Sequence, residues 1–445
     1  MKKRTTISGW GNFPSILAEE LYPTRKKDYE KYQEGSYHPR GLGRSYGDAS
    51  LPQEDFISLN TGRLDHFIHF DKENHILEAE AGVSFEQILE YFIPKGYFLP
   101  VTPGTKYVTL GGAIASNVHG KNHHHCGSIE NFIIEFDILT PIGAFTCSPT
   151  QNEELFRATI SGYGLTGLIT KAKLKLTPIE SSFFHTKKIA ARNLEEIFKL
   201  FSQYDDEYEY SVAWMDTLAS GADLGRSILM LGRHTTLEEL TAKERKNPLQ
   251  VVDKFKINFP TYLPSAVLNR LFLTGFNSFL YYFYHLQQGE KFELYEPFFY
   301  PLDMMTNWNR MYGRKGFLQY QCVIPDPNGE EGVRAALEFL SSQGMGSFLS
   351  VLKRCGDDYA MIPFAKKGYT LALDIPLRSH TLKALDELDK IVMNFNGRVY
   401  LSKDARLSPE TFRIMYPEYQ KWLDVIKKYN PNKKVWSLMA QRLEL

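Results

Sequence analysis

The sequence predicts an α+β protein of two domains, the first of them discontinuous. Short strand-like runs alternate with short helices up to about residue 180, longer strands follow Pro178, and a strand after Gly397 marks a return. A chain of 445 residues has room for two or three domains with their own cores. We expect a first domain over residues 1–180, a second over 181–397, and a return to the first over 398–445.

The first domain is predicted from short strands and a capped helix. Strand-like runs cover residues 56–60, 75–81, 132–140 and 168–176, and a short helix covers 153–160. After Ser84, apolar residues recur at helical spacing and Gly96 ends the pattern; they are Phe85, Ile88, Leu89 and Phe92.

The second domain has longer strands and two amphipathic helices, predicted over residues 193–201 and 332–341. A short strand over 399–401 marks the return, and a helical tail is predicted over 409–429.

Composition excludes several classes of protein. The chain has 43% apolar and 23% charged residues, as an ordinary globular protein does. Lys and Arg number 52, as do Asp and Glu, so the basic footprint of a nucleic-acid-binding protein is missing. We expect no nucleic-acid partner.

Four scattered cysteines, Cys126, Cys147, Cys322 and Cys355, form no Cys-x-x-Cys pair, which argues against a zinc ribbon or a disulfide framework. The basic N-terminus lacks the apolar region of a signal peptide, and no apolar run is long enough to span a bilayer. We expect a cytoplasmic protein that is at most peripheral to the inner membrane.

Two glycine-rich segments suggest one large anionic ligand. Residues 40–48 read RGLGRSYGD, and residues 103–122 contain Pro-Gly-Thr, Gly-Gly-Ala and His-Gly-Lys-Asn. Glycine lets the main chain approach a ligand closely and form concave anion sites. Neither segment matches the Gly-x-Gly-x-x-Gly fingerprint, so a phosphate-bearing cofactor outside a Rossmann crevice is predicted.

These segments resemble the flavin-binding domain of the vanillyl-alcohol oxidase superfamily and, within it, the decaprenylphosphoryl-β-D-ribose 2′-oxidase family. The resemblance covers nearly the whole chain. Its further motifs are GLTG at 164–167, AWMD at 213–216, PLDM at 301–304, WNR at 308–310, GFLQYQ at 316–321, YLSKD at 400–404 and MAQRLEL at 439–445. It implies FAD, a discontinuous FAD-binding domain of the PCMH type, and an α+β substrate domain built on an antiparallel sheet.

The resemblance also implies the cofactor-binding residues. They are Arg40, Gly41, Leu42, Gly43, Arg44, Ser45, Tyr46, Gly47, Asp48, Gly104, Thr109, Gly111, Gly112, Ser116, Asn117, Val118, His119, Gly120, Asn122, His123, Gly164, Ile169 and Tyr400. Many oxidases of this superfamily attach the flavin covalently to a histidine in the first glycine turn. Arg44 stands at that position here, so FAD is expected to be non-covalent.

Three residues are expected to take part in the chemistry: Lys403, His119 and Tyr46. Flavin chemistry needs positive charge or donors near the ring, and Lys403 matches the lysine that the resemblance puts at flavin and substrate. His119 and Lys121 are expected to line the ring and to supply hydrogen bonds and positive charge. The alternative for His119 is a buried histidine with ordinary partners.

The expected substrate-binding residues have the chemistry that a sugar phosphate needs, with amides for hydroxyls, lysines for phosphate and tryptophans for apolar faces. They are Lys121, Trp214, Trp308, Gln319, Gln321, Lys353, Thr370, Ala372 and Lys403. The chain departs from the family pattern at Ala372, where a cysteine is expected, at Thr370, where an asparagine is expected, and at Phe299, where a tyrosine is displaced to Tyr300.

Two segments allow a second interpretation. His123–Cys126 carries zinc-type ligands, but adjacent histidines rarely face one ion, so we expect no metal. The aromatic stretch over residues 255–300 is either a core or interface, or an apolar lid or membrane-facing surface that admits a lipid tail. The resemblance favours the lid.

The expected activity is FAD-dependent oxidation of the 2′-hydroxyl of a polyprenyl-phosphoryl pentose, as the first half of an epimerisation. A separate NADH-dependent short-chain reductase is the expected partner. The alternatives are an aldonolactone oxidase of the same superfamily and a flavin-binding module without catalysis.

Overall fold

The computed structural model describes residues 4–32, 35–251, 256–264 and 267–445. In chain order the strands are β1 Arg4–Ser8, β2 Ser15–Leu21, β3 Tyr37–Arg40, β4 Ile57–Asn60, β5 Phe67–Asp71, β6 Ile76–Glu80, β7 Tyr97–Phe98, β8 Ile133–Thr140, β9 Gly143–Cys147, β10 Leu168–Lys175, β11 Thr177–Pro178, β12 Phe183–Ala191, β13 Tyr210–Met215, β14 Ser227–His234, β15 Ile257–Asn258, β16 Gly289–Leu294, β17 Met305–Thr306, β18 Phe317–Pro325, β19 Ser350–Cys355, β20 Gly368–Pro376 and β21 Arg398–Val399.

The α-helices, numbered in the same way, are α1 Lys26–Glu30, α2 Phe85–Phe92, α3 Leu110–Ala115, α4 His123–Cys126, α5 Glu153–Thr159, α6 Leu194–Tyr204, α7 Arg270–His285, α8 Tyr295–Phe299, α9 Gly329–Ser342, α10 Thr381–Asn394, α11 Pro409–Met415, α12 Tyr419–Tyr429 and α13 Leu438–Arg442.

The N-terminal region forms two main sheets, and the first glycine turn follows the edge strand of one of them. One has the strand order β1-β2-β4-β3, with parallel pairing of β4 to both β2 and β3. The other is antiparallel, with the order β5-β6-β10-β8-β9. The first glycine turn follows β3 directly, so the end of that strand fixes its position.

The second region is built on one antiparallel sheet, as the resemblance implied. Its strand order is β16-β12-β14-β13-β19-β20-β18-β21. Strands β18 and β20 are buried along almost their whole length because helices α9 and α10 pack against them. Their other face contributes side chains to the site.

The chain leaves this large sheet only after β21, because residues 398 and 399 pair with β18. The two helices of the tail then return toward the first region, where α12 packs against α5 and Trp422 donates its indole N–H to the carbonyl oxygen of Ala158. The boundary expected at residue 398 stays a prediction.

A single hydrophobic core crosses from one region to the other. It contains residues of the antiparallel sheet of the first region, such as Leu77 and Phe136, and residues of the large sheet, such as Leu352 and Leu371. Packing of this kind holds the two regions against each other with little freedom, so side chains from both meet at a fixed separation.

Most predicted elements of the first region are present within a residue or two. Helix α2 begins after Ser84, which forms a capping box with Gln87, and Gly96 takes the left-handed conformation with a φ of 83°.

Helices α7 and α10 were not predicted from the sequence. Helix α7 carries apolar residues on most faces and has no acidic residue or lysine to mark a polar side, and it lies in the aromatic stretch, whose first residue, Phe255, is outside the described residues. Across the described part of the chain, no helix is long and apolar enough to cross a bilayer.

Candidate active site

A cavity of about 980 Å³, here called the junction cavity, lies where the two regions meet. Most of the residues singled out from the sequence line it: Arg40, Gly41, Leu42, Gly43, Arg44, Ser45, Tyr46, Gly104, Thr109, Gly111, Gly112, Ser116, Val118, His119, Gly120, Lys121, Gly164, Ile169, Trp214, Trp308, Gln319, Gln321, Lys353, Ala372, Tyr400 and Lys403. Motifs separated by hundreds of residues therefore converge on one space.

The first glycine turn offers the cavity a row of backbone donors. Within the described residues, the amides from residue 42 to residue 45 donate to no protein acceptor. Gly43 has a φ of 63°, the left-handed conformation that turns successive N–H groups to one side. Such a turn fits the pyrophosphate of a dinucleotide cofactor.

The second glycine segment closes on the first. Thr109 caps α3 by accepting a hydrogen bond from Gly112, and a Cβ on Gly41 would lie 2.3 Å from the Thr109 hydroxyl. The two segments are therefore in direct contact and leave a narrow cleft lined by main chain.

Arg44, which the resemblance aligns with the covalent histidine of other oxidases, packs between two aromatic rings. Its guanidinium carbon stands 4.0 Å from the centre of the Trp10 ring and 5.2 Å from that of Tyr107. Its Nε is buried without a hydrogen-bond partner among the described residues. A buried donor of this kind fits an anionic or carbonyl-rich ligand.

Lys403 extends into the cavity with its Nζ 4.0 Å from the centre of the Tyr46 ring. Burial lowers the pKa of Lys403 to about 7, with Asp374 opposing that change and Lys353 adding to it. A lysine in this state is partly neutral at physiological pH and is able to accept a proton.

Asp374 was not singled out from the sequence, yet it is the carboxylate that faces Lys403. Gln319 donates a hydrogen bond of 2.6 Å to its Oδ1, and the Tyr312 hydroxyl stands 3.4 Å from its Oδ2. Burial raises the pKa of Asp374 to about 7, against the hydrogen bond from Gln319 and the charge of Lys403. The signal that could have found it is its place on β20, two residues after Ala372 and on the same face.

His119 lies in the wall of the cavity beside Phe364 and Tyr400, with ring centres 5.5 Å and 5.2 Å away. The side-chain amide of Gln321 lies 2.9 Å from its Nε2. Burial, followed by the charge of Lys353, holds the pKa of His119 well below its usual value. This environment favours the neutral ring, which takes part in hydrogen bonding, and the expected supply of positive charge by His119 stays a prediction.

Two other lysines, both half-buried, border the cavity. Lys121 donates to the backbone carbonyl of Phe298, and burial lowers its pKa to about 7. Burial also lowers the pKa of Lys353. An anionic ligand in the cavity would favour their charged forms, so the pair suits a phosphate group.

Six of the expected site residues lie behind the cavity wall instead of lining it: Gly47, Asp48, Asn117, Asn122, His123 and Thr370. Their side chains hold other parts of the structure. Asp48 accepts two hydrogen bonds from Arg442, and a Cβ on Gly47 would lie 1.7 Å from the carbonyl oxygen of Asp404. Both positions therefore join the first glycine turn to the C-terminal segment.

The other four bridge neighbouring segments. Asn117 accepts from the backbone N–H of Glu130, and Asn122 donates to the carbonyl oxygen of Pro100. His123 stands 3.0 Å from Asp358 Oδ1 and accepts from the backbone N–H of Gly356. Thr370 contacts Gln321 instead of the cavity.

The histidine run forms no metal site in the part of the chain that the structure describes, where no group of three His, Cys, Asp or Glu side chains is arranged to hold an ion. His123 faces inward to Asp358 and Ser128, while His125 contacts the backbone of Asp205. His123 thus points away from the other two, whereas the rings of His124 and His125 lie together with their centres 4.2 Å apart.

Beside α7 the lining of the cavity is mostly apolar, with Lys188, Lys291 and Glu293 as its charged members. Helix α7 and the segments around it supply this lining, which includes Leu263, Val267, Leu268, Phe272, Phe276, Leu280, Met304, Met305 and Met311. The opposite face of α7 is exposed, and Leu271, Phe279 and Leu286 are 84%, 64% and 85% exposed. The aromatic stretch is thus a cavity wall on one side and a surface on the other.

Comparison with known proteins agrees with this arrangement. Residues 31–148 match the FAD binding domain family. The chain is 34% identical over 410 residues to the decaprenylphosphoryl-β-D-ribose oxidase of Mycolicibacterium smegmatis, which covers 91% of this chain and 88% of that protein. It is 28% identical to an uncharacterised protein of Streptomyces coelicolor, covering 82% of this chain and all of that protein. A Neurospora crassa protein provisionally named a D-arabinono-1,4-lactone oxidase is 25% identical over 38% of this chain and 31% of its own length.

Proposed function

The chain belongs to the decaprenylphosphoryl-β-D-ribose oxidase family of FAD-dependent oxidoreductases, and on that premise we propose that it oxidises the 2′-hydroxyl of a polyprenyl-phosphoryl ribose to a ketone. The observation that carries the proposal is the junction cavity. It joins a backbone donor turn, a group of half-buried lysines and buried amides, and an extended apolar lining beside α7. The donor turn suits the cofactor, the lysines and amides suit the sugar phosphate, and the apolar lining suits the lipid.

FAD is held by the two glycine segments without a covalent bond. The unpartnered amides of residues 42–45 receive its pyrophosphate, and Arg44 takes the place of the covalent histidine. Arginine forms no such bond to a flavin ring, while its guanidinium and the Trp10 ring provide a flat, cationic wall.

The chemistry divides between the cofactor and the cavity wall. FAD supplies the hydride acceptor when it is bound. Lys403, in its neutral form, takes the proton of the 2′-hydroxyl and becomes an ammonium facing Asp374. Tyr46 packs under the Lys403 amine and limits its movement.

The substrate is recognised along the large sheet. Gln319 and Gln321 stand on one face of β18 and offer amides to sugar hydroxyls, while Lys353 on β19 pairs with the phosphate. Trp214 and Trp308 supply apolar faces, and the polyprenyl chain lies along the apolar end of the cavity beside α7. Ala372 leaves room in the wall where the family pattern has a cysteine.

We further propose that α7 rests on the membrane that holds the lipid substrate. Between Arg270 and His285 the helix has no acidic residue and no lysine, and its outer face is apolar. The same helix lines the cavity, so a lipid tail passes from the bilayer into the site without crossing water. The contact is peripheral.

The product requires a second enzyme. A 2′-keto sugar that is to become the epimeric alcohol must be reduced, and that step needs a hydride donor of its own. A separate NADH-dependent short-chain reductase is the class of partner that completes the epimerisation.

A lactone oxidase is the second candidate, favoured by the partial likeness to the Neurospora crassa protein. The apolar end of the cavity and the exposed face of α7 serve no purpose for a small soluble lactone.

Anaerobic spectroscopy tests the proposal. The FAD-loaded protein is mixed in turn with a short-chain polyprenyl-phosphoryl ribose, with ribose 5-phosphate and with an aldonolactone. Bleaching of the flavin by the first alone supports the proposed function. Bleaching by the lactone alone supports the second candidate, and no bleaching by any of them contradicts both.

A further inference from the structure

Thr370 lies in the middle of β20 and is fully buried behind the cavity wall. Its hydroxyl donates to the carbonyl oxygen of Cys322 at 2.8 Å. A carbonyl oxygen only accepts, and a hydroxyl has a single hydrogen. The Thr370 oxygen therefore meets its other neighbour, the side-chain amide of Gln321, as an acceptor.

This contact determines which end of the Gln321 amide faces Thr370. The Gln321 Nε2 atom lies 3.2 Å from Thr370 Oγ1. An amide oxygen at that position would face a hydroxyl oxygen whose hydrogen is already in use, so two acceptors would meet in a buried site. The NH₂ group must stand there, and the network itself assigns the orientation of the amide.

The second N–H of the same NH₂ group points at His119. The distance from Gln321 Nε2 to His119 Nε2 is 2.9 Å. His119 Nε2 is then an acceptor without a hydrogen, and a neutral imidazole carries its proton on the other nitrogen, Nδ1. That Nδ1 is buried and has no partner among the described residues.

Two polar neighbours of the His119 ring, Tyr400 and His123, are engaged elsewhere, and the other two, Lys353 and Lys403, offer it no carbonyl or carboxylate acceptor. The Tyr400 hydroxyl donates to the carbonyl oxygen of Ser116, and His123 is held by Asp358 and Ser128. The pKa of His119 is well below its usual value, which agrees with a neutral ring. The Nδ1–H group of His119, a residue of the cavity wall, is therefore a donor that the described residues leave unpaired.

We propose that Thr370 is a positioning residue that acts through Gln321 to hold His119 as the Nδ1–H tautomer, so that the ring offers a hydrogen-bond donor to an acceptor atom of the cofactor or substrate in the junction cavity. Only the identity of that ligand rests on the proposed function, whereas the orientation of the Thr370–Gln321–His119 hydrogen bonds is independent of it.

The tautomer is measured directly by ¹⁵N NMR of histidine-labelled, FAD-loaded protein without substrate. His119→Asn identifies the His119 signals by their loss. We expect a protonated Nδ1 and an unprotonated Nε2 in the unchanged protein and in Thr370→Ser, which keeps the hydroxyl. In Thr370→Val the amide is free to turn, and a population with a proton on Nε2 is expected.

Gln321→Glu provides the reverse test if the valine variant fails to fold. A carboxylate only accepts, so it draws a proton onto Nε2 of His119. The proposal is overturned if the unchanged protein carries its proton on Nε2, or if Thr370→Val keeps the tautomer of the unchanged protein.

A kinetic and spectral readout identifies the acceptor. If it belongs to the cofactor, Thr370→Val shifts the flavin absorption without substrate and slows flavin reduction on the order of tenfold, the effect of one lost hydrogen bond. If it belongs to the substrate, the absorption is unchanged and KM rises.

A valine variant with unchanged absorption, reduction rate and KM contradicts the role. A failure of the proposed function would instead abolish reduction in the unchanged protein and leave the NMR result intact.

Discussion

At the scale of single residues, the charge of Lys403 controls the proposed proton transfer. Lys403 faces Asp374 on β20, Lys353 on β19 and the Tyr46 ring, and its pKa is lowered to about 7. The neutral form dominates above that pH and the ammonium below it. We expect the rate of flavin reduction by substrate to rise as pH increases through about 7 and then to level off, measured by anaerobic stopped-flow absorbance.

Two substitutions of Lys403 distinguish its role as a proton acceptor from its role as a positive charge. Lys403→Met is expected to slow flavin reduction by roughly 10²–10⁴-fold, the usual contribution of a positioned base. Lys403→Arg keeps a positive charge but stays protonated at every accessible pH, so it should be as slow as the methionine variant. An arginine variant with the rate of the unchanged protein would contradict the role as proton acceptor.

The charge of Asp374 should influence how the rate of flavin reduction depends on pH. Its charge raises the pKa of Lys403 against the effect of burial, so Asp374→Asn removes a factor that favours the ammonium. We expect the midpoint of the pH–rate curve to move to lower pH. The asparagine still accepts from Gln319, so the packing is kept. A midpoint that stays in place or rises would mean that another group titrates.

At the scale of elements, α7 is the helix that joins cavity and surface. Replacing its three most exposed apolar residues by Leu271→Gln, Phe279→Gln and Leu286→Gln is expected to weaken sedimentation with phosphatidylglycerol–phosphatidylethanolamine vesicles. Each buried apolar side chain contributes about 1.5–3 kcal/mol, so even one lost contact weakens binding roughly tenfold.

Ile414 on α11 provides the matched control, since it is 64% exposed, as Phe279 is, but lies on another helix. Ile414→Gln should leave vesicle binding unchanged. Equal losses from α7 and from Ile414 would indicate non-specific adsorption, and no loss from α7 would contradict the proposed membrane contact.

The elements that could be predicted are those with local signals. The capping box of Ser84 and the apolar spacing after it specify α2 through contacts within one turn. Helix α7 has Asn269 as its N-cap, but its apolar residues surround the axis and reflect a cavity on one side and an exposed face on the other. Such a pattern depends on the tertiary setting, so periodicity alone cannot assign it.

At the scale of the whole molecule, Arg442 connects three distant segments. It forms two hydrogen bonds to Asp48 next to the first glycine turn and an ion pair of 2.8 Å with Asp404, next to Lys403. Arg442→Met leaves two buried carboxylates without their cation, and we expect a loss of about 3–5 kcal/mol in the free energy of unfolding. Urea denaturation followed by tryptophan fluorescence measures it.

The exposed ion pair of Arg413 with Glu444 is the control, with a distance of 3.3 Å and both side chains largely in solvent. Arg413→Met should cost about 0–1 kcal/mol, because exposed pairs contribute little. If the two variants lost similar free energy, the buried network would not have the structural role assigned to it.

Much of the candidate site could be predicted because the motifs fix which segments approach the cavity. The sequence did not indicate which way each side chain turns. Asp48, His123 and Thr370 belong to the motifs, yet they face inward to Arg442, Asp358 and Gln321. Asp374 is fully buried next to Lys403 and Gln319, although it was not among the expected site residues. These directions follow from sheet register and from buried charge pairing, which depend on partners far away in the chain.

The most direct test of the proposed function uses polyprenyl-phosphoryl ribose deuterated at C2′. The FAD-loaded protein is mixed with it anaerobically, flavin bleaching is followed, and the product is analysed by mass spectrometry. The account predicts slower bleaching than with the unlabelled substrate and a keto product that has lost the deuterium. A product that keeps deuterium at C2′, or a flavin that stays oxidised, would contradict oxidation at this carbon.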